Sequence, residues 1–194
     1  MITTPPGPRL ILASLSPRRR ELLARLPYRF EVRSLPVREF ADGELPAAEL
    51  PSRNAEAKAR AVAEMFPDTA VVGADTVIIL DDKIIGKPRD AGDAFDTLSR
   101  LSGRTHEVVT GVALLRWRDN LHQVWSESTR VTFKALSSET IREYMKLVDV
   151  LDKAGSYALQ EHGDMIVDRI EGDADNVVGL PLQRLASELA KLNL

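Results

Sequence analysis

Ala70-Val71-Val72-Gly73-Ala74-Asp75-Thr76 is the stretch on which the fold turns. Its small and apolar residues read as a buried strand, and the run leads directly into an acid. Val77 to Leu80, Asp81-Asp82 and Lys83 to Ile85 then read as a hairpin. Helical patterns lie on either side. From about Arg53 to Met65, with Ser52 as its cap, Ala55, Ala59, Val62 and Phe66 form an apolar stripe that Pro67-Asp68 ends. Ala91 to Leu101 reads as another helix, closed by Ser102-Gly103. A buried strand between amphipathic helices predicts an α/β protein.

Working outward, Leu10 to Ala13 is a second short apolar run and a second buried strand. Ser16 suits an N-cap and Pro17 a first helical residue, so a helix is expected to about Leu26, before Pro27. Tyr28 to Val32 alternates weakly as a strand, and residues 34–51 have no clean period and read as a loop with a short helical turn. Downstream, His106 to Trp117 and Gln123 to Lys134 read as a ribbon turned around Asp119-Asn120. A helix follows from Ser137-Ser138 to about Leu147, then short strands over Gly155 to Leu159 and Met165 to Ile170. Pro181 opens a last helix to about Leu192. The expected fold is a mixed, partly antiparallel sheet flanked by helices. Residues 1–8 are expected to be a flexible Pro-rich tail, and 9–194 a single domain.

The 194 residues are 44% hydrophobic, enough for a sizeable core. There is no cysteine, which excludes disulfides, thiolate nucleophiles, zinc ribbons and iron–sulfur clusters. His106, His122 and His162 are too far apart for a helix-borne zinc site, so any metal is expected to be a hard cation on carboxylates and phosphates. No apolar run approaches the ~18 residues of a membrane span. The N-terminus has no basic segment followed by an apolar one, so a cytoplasmic protein is expected. The formal net charge of -3 argues against a nucleic-acid binder. Phosphate-loop, dinucleotide and nucleophile-elbow motifs are all missing.

Six segments stand out. Ser14-Leu15-Ser16-Pro17-Arg18-Arg19-Arg20 joins a strand end to an arginine-bearing helix start, which suits an anion and equally an ordinary capped helix with solvated arginines. Asp75 in Gly73-Ala74-Asp75-Thr76 suits metal binding or water activation, or a plain strand-ending turn. Lys87 in Gly86-Lys87-Pro88 offers a point charge for phosphate, as do many solvated lysines. Lys58 falls inside an apolar stripe, three after Ala55 and four before Val62; it either snorkels or meets an anion. Asp152 to Gln160 could present polar groups to a base edge, Gln160 offering donor and acceptor, or form a plain turn-strand unit. Asn176-Val177-Val178-Gly179-Leu180-Pro181 reads as a structural entry to the last helix.

Taken together, these segments resemble the Maf family of nucleoside triphosphate pyrophosphatases. The matching stretches are Leu12 to Arg19, Gly73 to Thr76, Gly86 to Pro88, Leu101 to His106, Asp152 to Tyr157 and Val177 to Pro181, in the family's order over roughly Leu10 to Leu189. The resemblance implies a Maf/ITPase-like α/β fold with two lobes around a central cleft. It implies hydrolysis between the α and β phosphates, a divalent cation (Mg2+, with Mn2+ or Co2+ as alternatives), and commonly a homodimer. By the same resemblance Asp75 is the general base and a metal ligand, and Glu39 a second metal ligand. Ser14, Arg18, Arg19, Lys58 and Lys87 take the phosphates. Arg18, Thr76 and Gln160 match members that act on dTTP and UTP, a house-cleaning role in the nucleotide pool. Glu161 and then His162 stand where the family has Gly after the Gln. The alternative reading is a non-catalytic, nucleotide-sensing regulator of septum formation.

Overall fold

The computed structural model describes residues 10–192 and Leu194; the tail expected over residues 1–8 lies outside the described residues. The strands are β1 (Leu10–Leu12), β2 (Glu31–Val32), β3 (Ala70–Leu80), β4 (Lys83–Ile85), β5 (Thr105–Arg116), β6 (Leu121–Phe133) and β7 (Val167–Glu171). The helices are α1 (Pro17–Leu23), α2 (Leu50–Met65), α3 (Ala91–Leu101), α4 (Ser138–Leu147), α5 (Gly163–Ile166), α6 (Ala174–Val178) and α7 (Leu182–Leu189), with a 3-10 turn over Ala154–Ser156. The sheet order is β2-β1-β3-β5-β6-β7, with β4 paired to β3. β1 is parallel to β2 and β3, while β4 is antiparallel to β3 and β7 to β6. This is the mixed, helix-flanked sheet that the alternating patterns predict. β1 and the first half of β3 are fully buried, as near-continuous apolar runs in parallel pairing must be. No helix among the described residues is long and apolar enough to cross a membrane.

Local expectations were corrected in several places. β3 does not stop at Ala74; it runs through Asp75 and Thr76 to Leu80. Its start pairs with β1 and its end with β4, and β5 is its neighbour on the other side. α2 starts at Leu50, and Ser52 lies within it, its hydroxyl donating to the Glu49 carbonyl at 2.8 Å instead of capping. Gly155 to Leu159 is not a strand, because Gly155 and Ser156 have φ of 69° and 61° and turn the chain. Met165 and Ile166 close α5, and β7 begins only at Val167. α1 and α7 end earlier than their apolar patterns, and α6 was not anticipated. α3 and α4 stand where expected, with Asp90 and Ser137 accepting the N–H groups of Asp93 and Thr140 as caps.

The chain forms two compact units. The first comprises Met1–Asp75, Gly111–Ser126 and Gly179–Leu194; the second comprises Thr76–Thr110 and Glu127–Val178. In the first, the Ala55, Ala59, Val62 and Ala63 face of α2 packs on Ile11, Val71, Ala113 and Leu115. The fit is backbone-close. A Cβ at Gly73 would collide with the Ala55 carbonyl and Ala59, and one at Gly111 would collide with Pro51 and Ser52. Small residues on both surfaces trade some apolar burial for close approach.

The second unit is built around larger side chains, among them Leu98, Leu101, Phe133, Ile141, Tyr144 and Tyr157. His106, Phe133 and Tyr157 stack edge to face at centroid distances of 4.9–5.5 Å. The His106 Nε2 and the Tyr157 hydroxyl share a 2.8 Å hydrogen bond.

Candidate active site

Three segments of the first unit converge through α2. Asp75 projects from β3, about five-sixths buried, and its two oxygens are held separately. Oδ1 accepts from Lys58 Nζ at 2.8 Å and Oδ2 from Asn54 Nδ2 at 3.3 Å. Asn54 and Lys58 are one turn apart on α2 and so share a face. The same Lys58 ammonium lies 2.7 Å from Glu39 Oε2. Two carboxylates from segments far apart in sequence therefore meet on one cation.

Glu39 belongs to the loop before α2, which has hardly any regular structure, and side-chain contacts brace it. Asn54 accepts the Phe40 N–H on Oδ1 at 2.7 Å and donates from Nδ2 to the Phe40 carbonyl at 3.2 Å. Glu44 binds Arg38 at 2.6 Å and accepts the Ala41 N–H at 2.9 Å.

The strand–helix corner after β1 supplies the arginines. Ser16 occupies the N-cap of α1 without closing it, and its N–H donates instead to Ser14 Oγ at 3.3 Å. Arg19 is half-buried and folds back: Nη1 donates to Ser14 Oγ at 3.3 Å and Nε to the Gly179 carbonyl at 2.9 Å. Burial lowers the Arg19 pKa below its ordinary value; Asp75 and Glu39 oppose that lowering, and Arg18 adds to it. Arg19 remains a guanidinium, within electrostatic reach of both carboxylates. The segment read mainly as structural, around Gly179, thus supplies a carbonyl that aims Arg19.

Thr76, Lys87 and Gln160 belong to the second unit. The Thr76 and Thr110 hydroxyls are 3.0 Å apart; Thr110 donates onward to the Asn176 carbonyl, so Thr76 is the donor in the pair. Lys87 is exposed, next to Gly86, whose carbonyl accepts the Gly155 N–H at 3.0 Å. Gln160 is exposed too, two residues beyond Ala158. Tyr144 grips Ala158, accepting its N–H at 3.0 Å and donating to its carbonyl at 3.3 Å, and burial pushes the Tyr144 pKa up to about 12. Glu161 has no positive φ; that conformation falls on His162, at 53°. Its carboxylate lies 3.4 Å from Nζ of the buried Lys153, which also donates to Asp152 at 2.9 Å and to the Asp149 carbonyl at 2.6 Å.

No group of three or more His or carboxylate side chains is gathered for a metal among the described residues. The donor set at Glu39 and Asp75 still fits a hard cation. Both are carboxylates that converge on one positive charge, and Mg2+ is commonly held by one or two carboxylates with the remaining positions left to water and substrate phosphate.

Sequence reasoning missed Asn54, which is 3% exposed. Its signal was there to read: an amide on the buried side of a helix, four residues before a lysine on the same side.

A family model described as Maf-like protein matches residues 9–192. The chain is 48% identical over 178 residues to the dTTP/UTP pyrophosphatase of Akkermansia muciniphila, covering 91% of this chain and 92% of that one. It is 42% identical over 183 residues to the dTTP/UTP pyrophosphatase of Clostridioides difficile, 94% of each chain. Against the one from Myxococcus xanthus it is 45% identical over 185 residues, 95% of this chain and 93% of the other. Among solved structures it is similar to the Ham1 protein of Staphylococcus aureus, with a TM-score of 0.51 and 13% identity over 94% of this chain and 98% of that one. At that identity the likeness is one of fold.

Proposed function

The chain belongs to the Maf-like protein family, and on that premise we propose that it hydrolyses dTTP and UTP between the α and β phosphates, releasing the monophosphate and pyrophosphate. The observation that carries the reading is the Lys58 ammonium held between Glu39 and Asp75, beside a braced Arg19. Carboxylates and fixed cations at one place suit a reaction that must hold a polyanion and activate water.

Ser14, Arg18, Arg19 and Lys58 bind phosphate oxygens. Asp75 takes a proton from the attacking water, whose oxygen ends on the α phosphorus as the bond to the bridging oxygen breaks. Lys58 and Asn54 orient the Asp75 carboxylate for that transfer. By the family likeness Lys87 serves a further phosphate, and Thr76 and Gln160 serve the base. Glu39 and Asp75 would hold a divalent cation, Mg2+ in the first instance, which neutralises phosphate charge when bound. The enzyme works in the cytoplasm on the nucleotide pool, as a homodimer.

The test is pyrophosphate release with Mg2+ from dTTP, UTP, CTP, GTP, ATP and 7-methyl-GTP, with Asp75→Asn in parallel. Release is expected from dTTP and UTP, falling about 10²–10⁴-fold in the variant with its melting temperature retained. Near-native turnover by Asp75→Asn would remove Asp75 as the base, and no release from any nucleotide would sink the reading.

A further inference from the structure

We propose that Asn54 is a positioning residue for this reaction: its carboxamide registers the Glu39–Phe40 segment against Asp75, and so sets the spacing of the two carboxylates. The inference rests on reading these carboxylates as the metal-binding pair of a pyrophosphatase.

The hydrogen-bond pattern fixes the orientation of the amide. Oδ1 faces one donor, the Phe40 N–H at 2.7 Å. Nδ2 faces two acceptors, the Phe40 carbonyl at 3.2 Å and Asp75 Oδ2 at 3.3 Å. Flipping the group would set oxygen against both acceptors and NH2 against a donor. A single side chain thus pins both backbone groups of Phe40, the neighbour of Glu39, and at the same time restrains Asp75.

The surroundings make this restraint specific. Glu39 is half-exposed and has Lys58 as its ion-pair partner. Lys58 compensates charge between the carboxylates, but an ammonium on a flexible stem does not fix a backbone. Asn54 does so without adding charge, from a helix seated backbone-close on the strand that carries Asp75. Residues that orient first ligands in this way typically account for 10–100-fold in metal affinity.

The experiment compares full-length wild type with Asn54→Ala and with Asn54→Leu, the latter keeping most of the buried volume. Four readouts are taken: Mn2+ affinity by electron paramagnetic resonance, alone and with α,β-imido-dTTP; affinity for the analogue without metal; amide hydrogen exchange across Phe40; and kcat and KM for dTTP. The expected result is Mn2+ affinity weakened about 10–100-fold, analogue affinity within about twofold, faster exchange at Phe40, and kcat lowered more than KM is raised. Unchanged Mn2+ affinity in a folded variant overturns the proposal. So does equal weakening of Mn2+ and analogue binding in step with a lost melting temperature, since that marks a residue needed only for folding. None of these readouts except kcat and KM needs turnover. Failure of the wild type to release pyrophosphate would therefore count against the pyrophosphatase reading and leave this test standing.

Discussion

The two units fasten their irregular segments in the same way and treat charge differently. In the first, Asn54 holds the N–H and carbonyl of Phe40; in the second, the Tyr144 hydroxyl holds those of Ala158. Each unit also gathers two carboxylates around one lysine. Lys153 is nearly sealed, bound to its neighbour Asp152, to Glu161 and to the carbonyl four residues before it. Lys58 keeps 18% of its side chain exposed, and its carboxylates come from 19 residues upstream and 17 downstream. A cluster closed by local chain and a backbone carbonyl is a latch. A cluster assembled from a loop, a helix and a strand, with no backbone carbonyl among the described residues to finish it, has ammonium hydrogen left for a ligand.

Lys58→Met should break this contrast most sharply. We expect kcat/KM for dTTP to fall about 10²–10³-fold, with the melting temperature lowered by only a few degrees, because Asp75 keeps its Asn54 hydrogen bond and Glu39 is half-exposed. A large stability loss with retained turnover would make Lys58 a latch like Lys153.

A pH effect separates the units next. Burial lowers the His106 pKa from 6.5 to about 4. The unfolded chain then takes the proton first, so the contribution is complete above about pH 6.5 and is lost as pH falls from there toward 4. The stability lost between pH 7 and 4.5, read from denaturant melts, should be greater for wild type than for His106→Phe by about 2 kcal/mol. Parallel pH dependences would mean that His106 is not held neutral by the aromatic core.

Lys153→Met should have the smallest effect. It leaves the Asp149 carbonyl without its 2.6 Å donor, at a cost of about 1–3 kcal/mol and a few degrees in melting temperature. Turnover of dTTP should stay within about threefold; a 10²-fold loss would place the lysine in the chemistry and erase the distinction.

How far these features were legible depends on whether local pattern or long-range contact makes them. β1, α3 and α4 follow from apolar period and caps, and they stand as read. Lys58 was visible because a charge inside an apolar stripe needs an explanation. Asp75 was found as a residue but misplaced at a strand end, since the polar pair Asp75-Thr76 breaks the apolar run and the neighbouring strand β5 that runs beside β3 is remote in sequence. The turn at Gly155 and Ser156 was hidden by the apolar Tyr157-Ala158-Leu159 that follows it and suits a strand. Glu39 came from the family resemblance alone; its loop has no period, and what fixes it is an amide 14 residues past Phe40.

The seating of α2 on Gly73 and Gly111 has a consequence for how this site tolerates change. Where backbone meets backbone there is no side chain to compress, so the gap between Asp75 and the groups above it is set by a hard stop rather than by the fullness of the core. Larger or smaller residues elsewhere beneath the helix would alter how firmly it is pressed down, and hardly the height at which it rests. A single methyl group at Gly73 would act as a shim, lifting Asn54 and Lys58 together and detuning the chemistry while most of the fold stayed in place.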